Sequence, residues 1–180
     1  MGEEELEIAS KMVSPIYASA FFNVSLDGIK YVLIFDYIDP AGYYKRILGD
    51  KNLLKRELEL VTNNMQSFLD EEEILINGEK AGAEILLTDI GLRGEPSRAY
   101  ILFIIEIRSR LRRGINIYEN KYEREEFEYD YTAYWIFPRG VKIYEAILGG
   151  SVDIIGNIVV MKGSKGDISP GYERIKFEIK

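Results

Sequence analysis

The amino-acid sequence predicts an α+β protein. It reads as a strongly curved, mainly antiparallel β-sheet, with barrel-like closure as the limiting form, packed on one main helix at about residues 50–69. Three observations carry this. Apolar and polar side chains alternate with period two over most of the chain from Ala99 onward. A single long stretch, 50–69, carries a helical stripe instead. Turn dipeptides such as Asp27-Gly28, Asn77-Gly78 and Gly149-Gly150 punctuate the alternating stretches. The 180 residues (20.7 kDa) contain no internal repeat, low-complexity tract or Pro/Ser-rich linker, so residues 1–180 are expected to form one domain. A chain of this length buries about 70% of its unfolded surface, enough for a single core.

Taken in order, residues 3–12 suit a short helix with Leu6, Ile8, Ala9 and Met12 on its apolar side. From Ile16 the period becomes two: Ile16, Ala18, Ala20, Phe22, Val24 and Leu26 alternate with polar neighbours, and only Phe21 breaks the pattern. Asp27-Gly28 turns the chain into a return strand, 29–38, that is apolar on both faces, as a central covered strand is. Asp50 can cap the helix, and Leu54, Leu58, Val61, Met65 and Phe68 recur on its stripe. Shorter strands follow at about 73–77 and 83–90. The second half reads as an antiparallel meander. Ala99, Ile101, Phe103, Ile105, Ile107 and Leu111 share one strand face, and Phe127, Tyr129, Tyr131, Ala133, Trp135 and Phe137 share another. Further strands are expected at 141–148, 152–162 and 172–180, the last with Ile175, Phe177 and Ile179 inward.

Composition narrows the chemistry. The chain has neither Cys nor His, which excludes Cys nucleophiles, disulfides, His general bases and zinc held by nitrogen and sulfur ligands. Thirty acidic against 23 basic residues give a formal charge of −7, which disfavours duplex nucleic acid as a partner. The acidic start Met1-Gly2-Glu3-Glu4-Glu5 is unlike a secretory signal, and the longest apolar run, Tyr100 to Ile105, is too short to cross a membrane. A cytoplasmic protein with no membrane association and no cofactor is expected. One Gln, 21 Glu and 25 Ile give the composition a thermophile-like cast.

Two charged stripes could carry chemistry. Arg108, Arg110 and Arg112 lie two apart, so in a strand they form one cationic stripe suited to phosphate or carboxylate. Glu126, Glu128 and Asp130 form an acidic stripe of the same parity, whose oxygens suit a hard cation such as magnesium, calcium or manganese. An antiparallel register with Arg110 opposite Glu128 and Arg108 opposite Asp130 would make the two stripes cross-strand ion pairs, and this is the favoured reading. The loops at Gly163-Ser164-Lys165-Gly166-Asp167 and Gly91-Leu92-Arg93-Gly94-Glu95-Pro96 read as turns.

The charged alternation along 99–137 and 172–180 resembles the antiparallel barrels of tunnel-type triphosphate hydrolases and adenylyl cyclases. Their Glu-x-Glu-x-Lys strand is missing, since Glu5-Leu6-Glu7-Ile8-Ala9 lacks the lysine and Lys11 falls two residues late. No catalytic residue is therefore assigned from it. The sheet-plus-helix layout also resembles helix-grip lipid-binding proteins in its element types, without their C-terminal helix. The favoured function is a non-enzymatic binding or interaction protein that presents a sheet-lined groove to a small apolar ligand or a protein partner, with a homodimer as one way to cover strands that are apolar on both faces. The alternatives are metal-assisted phosphoryl transfer on the two charged stripes, and single-stranded nucleic-acid binding through Tyr122, Tyr134, Arg112 and Arg113.

Overall fold

A computed structural model describes residues 2–180; Met1 lies outside the described residues. Helix α1 (Glu3–Ser10) leads into the hairpin β1 (Ser14–Ser25) and β2 (Gly28–Ile38). Two helices follow, α2 (Tyr43–Gly49) and α3 (Lys51–Glu71), then β3 (Glu73–Ile76), β4 (Glu79–Ala81), β5 (Ala83–Leu92) and β6 (Arg98–Arg108). The remaining strands are β7 (Gly114–Lys121), β8 (Asp130–Ile136), β9 (Lys142–Ile147), β10 (Ser151–Ile155), β11 (Ile158–Gly163) and β12 (Tyr172–Ile179).

The protein is α+β, with one long helix packed on sheet. The strands form two sheets rather than one, and neither closes into a barrel. The larger has seven strands in the order β10-β11-β8-β1-β2-β6-β5, and the smaller has five in the order β4-β3-β7-β12-β9. Among the described residues every strand pairing is antiparallel except that of β1 with β8. The expected meander of the second half is corrected by this order. Successive strands after β6 alternate between sheets: β7 joins the small one, β8 the large, β9 the small, β10 and β11 the large, β12 the small. Apolar side chains of these strands face one another across a shared interior, to which β10 contributes Val152.

That interior is aromatic where the sheets face. Trp135 of β8 stacks on Phe22 of β1 with ring centroids 4.0 Å apart and meets Tyr118 of β7 at 4.8 Å. Phe137 meets Phe177 of β12 at 4.8 Å. The expected inward set of β6 is buried throughout, with Ile105 and Ile107 at 1% exposure or less.

Helix α3 covers the other part of the same inner face. Asp50 caps it, its carboxylate accepting from the Asn52 and Leu53 amides at 2.8 and 3.1 Å. Leu54, Leu58, Val61 and Met65 pack on the core. Gln66 pins the helix to β5, donating to the Ala83 carbonyl at 2.9 Å and accepting from the Ile85 amide at 3.1 Å. Phe68 departs from the expected stripe: it is 60% exposed, and Leu69 is buried in its place. A step of four from Met65 keeps the stripe on the sheet, whereas a step of three rotates off it.

Two further elements depart from expectation. The 152–162 stretch is a hairpin, β10 and β11, broken at Gly156-Asn157. Asn77-Gly78, both at positive φ (55° and 83°), closes β3 onto β4, and the chain then leaves the small sheet at Gly82 to enter the large one as β5.

Candidate functional site

The charged stripes do not meet. β6 pairs with β2 and β5, whereas β8 lies between β1 and β11, so no register can set Arg108 against Asp130 or Arg110 against Glu128. Through the ladder Asp130–Tyr17–Asp36–Tyr100, Asp130 sits level with Tyr100 of β6, eight residues along that strand from Arg108. At about 3.3 Å per residue the stripes lie at opposite ends of the sheet. Parity alone cannot reveal this, because it fixes a side chain's face but not its strand's neighbours.

Arg108 instead bonds Glu106 at 2.8 Å and Glu84 at 3.0 Å. Glu106 also meets Lys30 at 3.2 Å, and the Arg108 and Lys30 hydrogen bonds hold the Glu106 carboxyl below its ordinary range. Arg110 lies past the end of β6 and is exposed. Arg112 donates from Nε to the Ile115 carbonyl at 3.0 Å. The three arginines thus span a strand end and a turn rather than one stripe. Glu126 and Glu128 stand in the loop before β8, beside a shallow cleft of about 530 Å³ lined with Ser14, Pro15, Phe127 and Lys165. Among the described residues no three acidic side chains are placed to hold a metal ion. Tyr122 and Tyr134 also part company: Tyr122 turns inward to Glu173, and Tyr134 lies on the far side of the large sheet.

That far side is the most distinctive surface of the molecule. The small sheet and α3 both cover the inner face of the large sheet, and the outer face keeps partial exposure. The register places Val160, Tyr134, Phe21, Val32, Ile104 and Leu87 side by side across six strands. Phe21 and Tyr134 stack at 5.1 Å with rings 9° from parallel. Phe21 and Leu87 are 37% and 47% exposed.

Two residues along the strands on one side, Ile158 and Ile136 extend this row at its β11–β8 end. On the other side, Ile34 and Leu102 extend it at its β2–β6 end. The apolar side chains therefore form a diagonal band. Each corner it leaves is polar and carries both signs. One holds Lys162 and Asp130, and the other holds Lys30, Glu106, Glu84 and Arg108. Beyond the band, Arg93 bonds Asp36 at 3.0 Å and lies 4.6 Å over the Tyr100 ring. The Tyr100 hydroxyl donates to Asp89 at 2.8 Å, which raises its pKa. Sequence signals for this face existed: Phe21 interrupts an alternation, and strands 29–38 and 100–105 are apolar on both sides.

No protein-family model matches this sequence, and no curated protein matches it. Among solved structures the chain is similar to native leukotriene A4 hydrolase from Saccharomyces cerevisiae, at 13% identity and TM-score 0.38, over 93% of this chain and 29% of that one. It is similar to the same yeast enzyme in complex with bestatin at 11% identity and TM-score 0.36, over 94% and 29%. The chain thus spans less than a third of the length of these two structures. Likeness this remote carries no argument about activity.

Proposed function

We propose that this chain is a non-enzymatic interaction protein whose working surface is the outer face of the seven-stranded sheet, and that the occupant of that face is a second copy of the same chain. The unbroken apolar row from Val160 to Leu87 carries this reading. Contiguous apolar surface of this extent is uncommon on a face that stays in water.

Size and charge both favour a protein surface over a small ligand. Six strands at about 4.8 Å and three rows of side chains give the face, apolar band and polar corners together, a flat footprint of roughly 600 Å², before side-chain relief. That reaches the lower end of what each partner contributes to a stable interface, about 600–1,000 Å². The face is open and has no walls to enclose a ligand. A two-fold axis along the diagonal lays band on band and each mixed-charge corner against the other, so no single-sign patch is stacked on its like. Two twisted sheets packed face to face are a common way to bury such a surface.

The triple variant Phe21→Thr/Val32→Thr/Ile104→Thr tests this. Threonine keeps the β-branched strand preference while removing the apolar patch. Sedimentation velocity at tens of micromolar should show a dimer for the parent chain and a monomer for the variant, with far-ultraviolet circular dichroism unchanged. A parent chain that sediments as a monomer overturns the reading.

A further inference from the structure

Polar side chains gather at one end of the space between the two sheets. Glu173 of β12 stands directly opposite Asn120 of β7, both on the inner face of the small sheet. Glu72, at the C-cap of α3, accepts from Asn120 Nδ2 at 2.9 Å. The Tyr122 hydroxyl, just past β7, donates to Glu173 Oε1 at 3.2 Å. Tyr118 of β7 and Tyr31 of β2, 3% and 7% exposed, lie within electrostatic reach of these carboxylates. Tyr131 of β8 is the remaining titratable neighbour of Glu173.

Two properties of this cluster call for a cationic donor. First, it lacks a cation: among the described residues the groups that stabilise the Glu72 and Glu173 carboxylates are neutral donors, the Asn120 amide, the Tyr122 hydroxyl and the Gly149 backbone amide, and no lysine or arginine acts on either. Burial raises both carboxyls, and Glu173, with Glu72 nearby, stands at about 7. Second, Asn120 is 6% exposed, and its Oδ1 is buried with no donor. Because its Nδ2 is fixed on Glu72, that orphan acceptor belongs to the same cluster.

A ligand complementary to this cluster carries positive charge and several N–H or O–H donors. A primary ammonium offers three N–H bonds, matching the Glu72 and Glu173 carboxylates and Asn120 Oδ1. The neighbouring tyrosines are held in place by aromatic packing: Tyr118 lies against Trp135 and Tyr31 against Phe22, at 4.8 and 4.4 Å. A hard metal ion fits less well. It asks for six or more oxygens, and no three acidic side chains converge here among the described residues.

We propose that the Glu72–Asn120–Glu173 cluster between the sheets binds the primary ammonium group of a small amine. The site is independent of the outer sheet face. Its test is thermal shift and calorimetry at matched ionic strength with methylammonium, ethylammonium, tetramethylammonium, calcium and magnesium chlorides. The primary amines should bind saturably at pH 8 and about tenfold more weakly at pH 6, as Glu173 takes up a proton. Tetramethylammonium, with no N–H, should not bind. Glu173→Gln should weaken methylammonium binding at least tenfold. Glu72→Gln should do the same, and it decides the matter if the first variant does not fold. Absence of saturable amine binding, binding by calcium or magnesium alone, or amine binding unaffected by both substitutions overturns the proposal.

Discussion

At the scale of single residues, buried polar groups divide into those the fold satisfies and those it leaves open. Asn116, fully buried, is satisfied. Its Oδ1 accepts from the Arg112 amide and from Asn77 Nδ2, both at 3.0 Å, and its Nδ2 donates to the Arg112 and Gly114 carbonyls at 2.7 and 3.1 Å. One amide thereby shapes the turn into β7 and ties it to the β3–β4 turn. Glu173 is the opposite case, with a folded-state pKa about 7 against an ordinary 4.5. Between those values the folded state holds a proton that the unfolded chain has released, so stability falls as pH rises through that window and levels off above it. The expected loss is of order 3 kcal/mol. Urea titrations from pH 4.5 to 8 should show that decline in the parent chain and a shallower one in Glu173→Gln, with the variant more stable at pH 8. A variant less stable than the parent at pH 8 would contradict the assignment. The position was partly legible: Glu173 shares the parity of Ile175, Phe177 and Ile179, which places a carboxylate on an apolar stripe. Asn120 was not, because Gly114–Lys121 mixes Asn, Glu and Lys with its apolar residues and gives no clean alternation.

At the scale of elements, long periodic segments declared themselves and short ones did not. Helix α3, the β1–β2 hairpin and β6 follow from strong stripes and a turn dipeptide. Helix α2 does not. It exists because the buried Asp39 carboxylate accepts the Tyr43 and Tyr44 amides, each at 2.8 Å, a capping contact that needs the folded chain to hold Asp39 in place. The end of α3 is decided by geometry of a finer kind. Leu69 is 6% exposed and Phe68 is 60% exposed, so their truncations should differ sharply. Leu69→Ala should cost about 2–5 kcal/mol, whereas Phe68→Ala, at a surface position, should stay within about 0.5 kcal/mol. Chemical denaturation of the two variants side by side checks this, and equal losses would mean that the helix is rotated from the position described.

At the scale of the whole molecule, the sequence conveyed the balance of strand and helix but not the division into two sheets. Alternation states which side chains face inward, and it is silent on which of two layers a strand joins. The Arg and Glu/Asp stripes show the consequence, since matching parity suggested neighbours that the topology sets at opposite ends. The apolar outer face, by contrast, was foreshadowed by the stretches 29–38 and 100–105, which carry apolar side chains on both sides, and it is the feature on which the proposed association rests. If two copies share that face, unfolding includes their separation, and the midpoint depends on protein concentration. A hundredfold increase should raise Tm by about 3–4 °C, from the mass-action gain divided by the unfolding entropy of two such chains. Differential scanning calorimetry across that range reads this directly, and a concentration-independent midpoint would argue for a chain that stays single.

The pairing of β1 with β8 bears on how the molecule comes into being. Tyr17 and Thr132 share a hydrogen bond 115 positions apart, and it lies in the one parallel pairing, at the middle of the large sheet. During synthesis the first hairpin emerges early and meets β6 and β5 next, but its other edge stays open until most of the chain has left the ribosome. Closure of such distant partners is slow because the loop entropy must be spent before the contacts form. In that interval the exposed flank of β1, with Phe21 and Phe22 side by side, is the segment most open to wrong partners, and the arrival of β8 is what seals it.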